Sequence, residues 1–263
     1  MKIAVLASVL ALLAQPCSAK QNLYLITLMG QSNMVGAGEV SELPAGFPEH
    51  HSKLWNFTNA YRWEPAREPV DSARGQRDAV SLDKSAGVGP SLALADAFVS
   101  RHPGISVGLI PCAKSGSSIS QWQETLSRPE DSLFDSCMRR MKTVSPADGA
   151  IRAVVFWQGG RDAKRQEDAT KWADRFTTFV DKLRKDLGNP NLPIIMVVLG
   201  DKDERVANKY PYWDVVREQQ RSVNIPGVVK IEANGYERED GIHFTTKGQL
   251  AFGAALAGLL PAP

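Results

Sequence analysis

Residues 23–34 read Leu-Tyr-Leu-Ile-Thr-Leu-Met-Gly-Gln-Ser-Asn-Met, and this stretch decides the fold. Its first seven residues have the length and composition of a buried parallel strand, and Gly30 interrupts the pattern just before Ser32. In open α/β sheets, ligands bind beyond the carboxyl ends of the strands. Ser32 is therefore predicted to lie at the ligand-binding edge of a parallel sheet.

A second motif near the other end of the chain, Asp240-Gly241-Ile242-His243, complements this serine. A serine hydroxyl is a weak nucleophile until a base takes its proton, and a histidine is a better base when a carboxylate fixes its tautomer. Taken alone, Asp-Gly also marks turns, and the histidine would serve equally well at the start of the last helix. Combined with Ser32, the motif predicts Ser32 as nucleophile, His243 as base and Asp240 as its partner.

The glycines around Ser32 raise the alternative of a nucleotide-binding loop. Gly30, Gly36 and Gly38 are close together, but their spacing fits neither the phosphate loop nor the dinucleotide fingerprint, and no lysine follows. The sequence therefore favours the activated serine over a nucleotide site.

The first 19 residues have the pattern of a signal peptide. Met1-Lys2 is basic, residues 3–13 are almost entirely apolar, and small residues precede a predicted cut after Ala19. The apolar run is much shorter than the roughly 20 residues that span a bilayer. We therefore predict an exported protein, secreted or periplasmic, with residues 20–263 as a single domain and no membrane span after cleavage.

The charge of the chain excludes one class of partner. Its 31 basic and 29 acidic residues give a formal net charge of +2 and are mixed along the sequence. This is not the electrostatic footprint of a nucleic-acid-binding protein.

Signal cleavage leaves two cysteines, Cys112 and Cys137. In an oxidising compartment such a pair can form a disulfide, but two buried thiols fit the sequence equally well. No cluster of cysteine and histidine has the spacing of a zinc site, so neither a metal nor another cofactor is predicted.

Apolar runs alternate with helical patterns along the rest of the chain, which is typical of a three-layer α/β/α fold around a mostly parallel sheet. Five strands are predicted: Leu23–Met29, Ile105–Ile110 closed by Pro111, Ile151–Trp157, Ile194–Leu199 and Val228–Ile231. The predicted helices are Gly89–His102, Ala163–Leu187, Asn208–Val223 and Thr245–Leu260.

Residues 36–87 show only weak periodicity and are rich in proline, charged and aromatic residues. Long irregular insertions in compact domains are often functional. This insertion is expected either to form a wall of the substrate site or to be an ordered surface excursion without a ligand role.

Two further segments follow predicted strands at the edge where Ser32 lies. Residues 110–119 follow the second strand and contain Gly116, with Trp122 shortly after; residues 156–162 follow the third and contain Gln158. A glycine N–H and an amide side chain from these loops would complete a site that stabilises an oxyanion.

Together these four segments resemble the SGNH-hydrolase superfamily, and within it the sialate O-acetylesterase and carbohydrate esterase 6 (acetylxylan esterase) group. The shared motifs are Gly-Gln-Ser-Asn-Met, the loop Cys-Ala-x-x-Gly-x-x-Ile with a following Trp, Trp-x-x-Gly-x-x-Asp and Asp-Gly-x-His. The resemblance covers nearly all of residues 20–263 and implies a flavodoxin-like fold and metal-free deacetylation of sugars. It implies the roles given above for Ser32, His243 and Asp240, and an oxyanion hole made of the Ser32 amide, the Gly116 amide and the Gln158 side chain.

The chain departs from this group after Gln158. Members usually have Gln-Gly-Glu-x-Asp, whereas this chain has Gln158-Gly159-Gly160-Arg161-Asp162. Our hypothesis is that the glutamate supports the site indirectly, so that its loss weakens activity without abolishing it. Arg161 is expected either to form a structural ion pair, the favoured interpretation, or to contact an acidic group of the substrate.

The prediction is therefore an exported serine esterase that removes acetyl groups from carbohydrates through an acetyl-enzyme intermediate. Candidate substrate contacts are Gln31, Asn33, Arg161 and Trp122, although Trp122 fits a core anchor better than a sugar platform. Two alternatives stay open: an esterase for other short-chain esters, and a carbohydrate-binding homologue with weakened turnover. The sequence does not identify the sugar or the oligomeric state.

Overall fold

The computed structural model describes residues 22–123, 132–144 and 148–263, so the predicted signal peptide and its cleavage site lie outside the described residues. Within that part of the chain, no helix combines the length and the apolar character needed to cross a membrane.

The centre of the fold is a seven-stranded sheet in the order β3-β2-β4-β1-β5-β6-β7. All neighbouring strands are parallel except β2 and β3, which form an antiparallel pair at one edge. The strands are β1 (Leu23–Gly30), β2 (Leu54–Phe57), β3 (Trp63–Pro65), β4 (Val107–Ala113), β5 (Gly149–Trp157), β6 (Ile194–Val198) and β7 (Val228–Glu232). With β1 at its centre, the sheet carries Ser32 to the middle of its carboxyl edge.

Helices cover both faces of the sheet, as the α/β/α prediction requires. The α-helices are α1 (Ser32–Val35), α2 (Ser91–Arg101), α3 (Leu133–Thr143), α4 (Gln166–Thr170), α5 (Trp172–Asp186), α6 (Trp213–Ser222) and α7 (Thr246–Leu256). Side chains of α3, α5 and α6 pack on one face of the sheet, and those of α2 and α7 pack on the other. The apolar residues of β1 alternate between these two cores, which is why the strand is apolar apart from Thr27.

The predicted fold class is confirmed, but the predicted strand count of five was wrong. The two additional strands, β2 and β3, lie in the 36–87 insertion, and helix α3 was not predicted either. Strands of three and four residues contain too few periods to give a recognisable alternation.

Pro111 does not end β4 as predicted, because the strand continues to Ala113. The carbonyl of Pro111 accepts from Arg140 Nη1 at 2.8 Å, and two residues on, Ala113 N donates to Asp71 Oδ2 at 2.9 Å. Both residues thus direct their backbone polar groups away from β1. A missing N–H at Pro111 therefore removes no hydrogen bond between β4 and β1.

The predicted long helix over 163–187 is interrupted. A short 3₁₀ turn, Asp162–Lys164, precedes α4, and α5 begins only at Trp172. The Ala163 carbonyl accepts from Tyr212 N at 3.0 Å, so it is bonded to another segment at the point where a helix would continue. Tertiary contacts here override a uniformly helical propensity.

A buried guanidinium anchors the insertion to α3. Arg140 and Asp78 both have fully buried side chains and form an ion pair, with Arg140 Nη2 at 2.9 Å from Asp78 Oδ1. Arg140 also donates to Asn59 Oδ1 at 2.6 Å and Ser81 Oγ at 3.1 Å. One side chain of α3 thereby holds three separate points of the insertion.

Of the two alternatives for the cysteines, the structure shows the disulfide. Cys112 of β4 and Cys137 of α3 are bonded, with their Cα atoms 5.5 Å apart. The bond ties α3 to the sheet on the same side as the Arg140 network.

Three buried carboxyl groups predict how stability changes with pH. Burial raises the pKa of Glu68 to about 8, of Asp71 to about 7 and of Asp162 to about 6. These groups keep a proton in the folded protein at pH values where the unfolded chain has released it. The folded state thus binds more protons above about pH 4, and stability is expected to fall as pH rises from about 5 to about 8.

Urea unfolding at several pH values measures this effect, and a Glu68→Gln variant should lose much of the pH dependence. Glu237→Gln, a change at an exposed position, is the matched control and should behave like the parent. A urea midpoint that rises between pH 5 and pH 8 would contradict the prediction.

Candidate active site

Gly30 sets the direction in which the chain leaves β1. Its φ is +138°, and a Cβ at this position would lie 2.1 Å from the carbonyl oxygen of Trp157 on the neighbouring strand β5. Only glycine tolerates both conditions. The chain therefore turns directly into Ser32, the first residue of the short helix α1.

The structure brings Ser32, His243 and Asp240 together although 208 or more positions separate the serine from the other two. His243 Nε2 lies 2.9 Å from Ser32 Oγ, and His243 Nδ1 lies 2.7 Å from Asp240 Oδ2. A carboxylate beside Nδ1 selects the tautomer with its proton on that nitrogen, which leaves Nε2 free to accept the serine proton. The three side chains thus have the geometry of a nucleophile, a base and an orienting acid.

Hydrogen bonds keep Asp240 ionised and in place. Partial burial acts to raise its pKa, but N–H groups of His243 and Ile242 and the His243 ring donate to the carboxylate and bring the pKa below its usual value. The two backbone donors lie 2.8 and 2.9 Å from Asp240 Oδ1. One oxygen of the carboxylate therefore shapes the loop and the other contacts the imidazole.

Two backbone N–H groups beside Ser32 are available to an oxyanion. In the described part of the chain, neither Ser32 N nor Gly116 N donates to a protein acceptor. Gly116 is exposed with a φ of +69°, and the Asp83 carboxylate accepts from Ser115 N at 3.0 Å, which fixes the preceding peptide. The N–H groups of Ser32 and Gly116 have no acceptor within the described residues, and both can therefore donate to an oxyanion.

The structure does not support Gln158 as the third oxyanion donor. This side chain is fully buried, its Nε2 donates to Ser117 O at 2.9 Å and to Asp162 Oδ2, and its Oε1 accepts from Trp172 Nε1 at 2.9 Å. Both amide hydrogens are therefore used inside the protein. Through Ser117 O, Gln158 instead holds the loop that carries Gly116.

Two of the predicted substrate contacts are also corrected. Trp122 is fully buried, and its Nε1 donates to Ser117 Oγ at 3.2 Å, so it is an anchor in the core. Asn33 is 6% exposed; its Nδ2 donates to Ile242 O and its Oδ1 accepts from Phe244 N, both at 3.0 Å. Asn33 therefore attaches the residues on either side of His243 to the helix that carries the serine. The sequence shows Asn33 next to the nucleophile, but contains no signal for this partner.

Gln31 lies beside Gly160, the position where members of the group that the chain resembles usually have glutamate. Gln31 Oε1 accepts from Gly159 N at 3.3 Å, while its Nε2 has no acceptor among the described residues. A Cβ at position 160 would lie 3.0 Å from that nitrogen. The missing glutamate thus leaves Gln31 Nε2, one residue before Ser32, without an acceptor in the part of the chain that the structure describes.

Arg161 does not form the ion pair that the sequence analysis favoured. Its side chain is exposed, and within the described residues it has no carboxylate partner. Arg161 directly follows Gly160, the residue that lies beside Gln31. The alternative expectation, a contact with an acidic group of the substrate, is the one that stays open.

Charged residues after β6 support the loop of Asp240 and His243. Arg205 Nη1 donates to Glu239 O at 2.8 Å, and Arg205 is itself held by Asp203 at 2.8 Å. Arg238 Nη1 donates to Asp201 O at 2.7 Å. The charged residues 201–205 thus contact the loop of Asp240 and His243 directly.

Comparison with known proteins shows the family to which this sequence is similar. The sequence model of the family described as "Carbohydrate esterase, sialic acid-specific acetylesterase" matches residues 20–260. A probable carbohydrate esterase of Arabidopsis thaliana is 31% identical over 252 residues, which are 88% of this chain and 87% of that protein.

Solved structures give the same result for the fold. The X-ray structure of an Arabidopsis thaliana protein superposes with a TM-score of 0.77 at 29% identity, covering 90% of this chain and 97% of that one. The crystal structure of NanS has a TM-score of 0.67 at 14% identity, covering 92% of this chain and 97% of that one, and shows a shared fold.

Proposed function

The chain belongs to the carbohydrate esterase family of sialic acid-specific acetylesterases and is a carboxylic ester hydrolase, and we propose that it removes O-acetyl groups from carbohydrates through Ser32, His243 and Asp240. The observation that carries this proposal is the relay of 2.9 and 2.7 Å contacts from Ser32 Oγ through His243 to Asp240.

The proposed reaction has two halves. Ser32 Oγ attacks the acetyl carbonyl carbon while His243 Nε2 takes the hydroxyl proton, and the N–H groups of Ser32 and Gly116 stabilise the oxyanion. The sugar alcohol leaves with the proton from His243, and the acetyl group stays on Ser32. Water then attacks the acetyl-enzyme, His243 takes and returns a proton in the same way, and acetate is released.

Acetate release from O-acetylated xylo-oligosaccharides and O-acetylated sialosides tests the substrate class. Aryl esters of increasing acyl length provide the comparison, and we expect the acetyl ester to be the best of them. Equal or better turnover of long acyl chains, with no acetate released from any sugar, would contradict the proposal and favour an esterase for other esters.

We also propose that Arg161 contacts a carboxylate on the substrate, because its exposed guanidinium has no partner within the described residues. An Arg161→Gln variant is expected to raise KM several-fold for an O-acetylated sialoside, since guanidinium pairs well with carboxylate. KM for a neutral acetylated xylo-oligosaccharide is the internal control and should stay within twofold. Equal changes for both substrates would contradict a role in charge recognition.

The Gly160→Glu variant is expected to keep or raise turnover of 4-nitrophenyl acetate by a few-fold. The Cβ of a glutamate at this position would lie 3.0 Å from Gln31 Nε2, which has no acceptor within the described residues, so a small shift of Gln31 would bring the carboxylate within reach of that donor. A charged hydrogen bond there would hold Gln31 against the nucleophile loop. Gly160→Gln, of similar size but without the charge, is the matched control. A large loss in the glutamate variant alone would refute this account of the departure.

Export after cleavage at Ala19 is part of the proposal and rests on the signal-peptide pattern of residues 1–19. Amino-terminal sequencing of the protein recovered from a secreting host tests it, and Lys20 is the expected first residue. An intact Met1 on the exported protein would contradict cleavage.

A further inference from the structure

A cavity of about 530 Å³ lies beside β2 and β3, on the far side of β4 from Ser32. Its volume is within the range of small-molecule sites. The insertion provides nearly all of its walls, and most of the side chains are polar: Asn56, Arg67, Glu68, Ser72 and Arg74 are among them. None of these residues takes part in the chemistry proposed for Ser32.

A buried polar atom in these walls has no partner within the described residues. Asn56 is 8% exposed; its Nδ2 donates to Val70 O at 2.9 Å, but its buried Oδ1 accepts no hydrogen bond. Buried polar atoms are nearly always hydrogen-bonded in folded proteins, so an unpaired acceptor in the cavity wall indicates a place for a donor of a ligand. In the same wall, Glu68 Oε2 accepts from Val70 N at 3.0 Å, and burial raises the pKa of Glu68 to about 8, so its carboxyl group keeps a proton at neutral pH.

An unpaired donor lies at the same cavity. Arg67 is exposed and forms neither an ion pair nor a hydrogen bond with the described residues. The cavity wall thus offers a ligand both a donor, the Arg67 guanidinium, and an acceptor, Asn56 Oδ1. A phosphate or sulfate offers only acceptors, whereas a sugar hydroxyl both donates and accepts and can satisfy both kinds of group.

A second hollow extends from the cavity towards the loop of Gly116. This hollow, of about 290 Å³, shares Pro69, Ser72 and Arg74 with the cavity and extends to Asp83. Asp83 accepts from Ser115 N, next to the proposed oxyanion donor Gly116. The cavity and the hollow together therefore reach the loop that carries Gly116.

We propose that this cavity binds sugar residues of an oligosaccharide whose acetyl ester is attacked at Ser32. The assignment rests on the proposed function, because it places the rest of the same substrate. Its consequence is a preference for oligosaccharides over single acetylated sugars, with Arg67 as a specificity-determining residue.

Substrate length tests the assignment. The parent protein is expected to have a higher kcat/KM for an acetylated xylotetraose than for an acetylated xylose. In Arg67→Ala, the ratio of kcat/KM for the tetrasaccharide to kcat/KM for 4-nitrophenyl acetate should fall about tenfold, as for the loss of one charged hydrogen bond. The matched control is Arg152→Ala, which removes an exposed arginine of β5 outside the cavity walls and should leave the ratio unchanged. A ratio that is independent of Arg67 would overturn the proposal.

A binding measurement separates this inference from the proposed function. The Ser32→Ala protein is titrated calorimetrically with unacetylated xylotetraose and with a sialylated trisaccharide, with xylose as the single-sugar control. Binding of either oligosaccharide that Arg67→Ala weakens supports the cavity, even if no acetylated sugar is hydrolysed. The absence of binding by both, in a protein that does hydrolyse acetylated sugars, would overturn the cavity and leave the esterase proposal intact.

Discussion

Ser32→Ala is expected to lower kcat for 4-nitrophenyl acetate by roughly 10⁴- to 10⁶-fold, as for the loss of a serine nucleophile in other triads. The expectation follows from the geometry, since Ser32 Oγ is the hydroxyl that lies 2.9 Å from His243 Nε2. The alanine variant keeps the Ser32 and Gly116 amides, so any residual rate reports the oxyanion site alone. Intact-mass analysis during turnover should show one added acetyl group in the parent and none in the variant.

The matched control for this prediction is Ser100→Ala, which removes an exposed hydroxyl at the end of α2 and should leave kcat unchanged. Both variants should unfold close to the urea concentration of the parent, because the hydrogen-bond partner of the Ser32 hydroxyl within the described residues is the partly exposed His243. If Ser32→Ala retained activity within tenfold of the parent, another residue would be the nucleophile. If the parent itself showed no turnover, the binding-protein alternative would gain support.

The Asp78→Ala variant is expected to lower the free energy of unfolding by about 3–5 kcal/mol, the loss typical of a broken buried ion pair. Arg140 is fully buried and would keep its charge without its carboxylate partner. Because Arg140 also holds Asn59 and Ser81, the insertion should loosen as a unit. Urea unfolding measures the stability, and hydrogen exchange over residues 54–81 reports the local loosening.

The matched control is Glu167→Gln, which breaks the exposed i,i+4 pair with Lys171. Such surface pairs contribute less than about 1 kcal/mol. Equal losses of unfolding free energy in Asp78→Ala and Glu167→Gln would contradict a larger contribution of the buried ion pair. The cavity proposal adds one further expectation, since a loosened insertion should also weaken binding of xylotetraose.

The central strands, and the proximity of Ser32 to His243, were predictable because their signals are local. A continuous apolar run identifies β1 and β5, and short motifs place Ser32 and His243 next to the ends of elements. The geometry of a parallel sheet then requires the ends of neighbouring strands to meet at one edge. Sequence reasoning could therefore join two motifs more than 200 residues apart.

The short elements of the insertion and the roles of several polar side chains were not predictable. Strands β2 and β3 are too short to show a period, and they are stabilised by Arg140 from a distant helix. Gln158 and Asn33 have residue types and positions that suit substrate contacts, yet their hydrogen-bond partners come from other segments. A side chain's partners depend on which segments fold against it, and no spacing along the chain encodes that.

The sequence by itself thus determined the α/β class, and it predicted which edge of the sheet carries the candidate site and that Ser32, His243 and Asp240 belong to it. Only the tertiary structure decided that Gln158 and Trp122 are buried supports, that Arg161 has no partner within the described residues, and that the insertion lines a cavity with several polar side chains. The physical reason is the distance along the chain over which each kind of interaction acts. Periodicity and motifs report interactions between near neighbours, whereas burial and hydrogen-bond pairing are set by contacts between segments far apart in the chain.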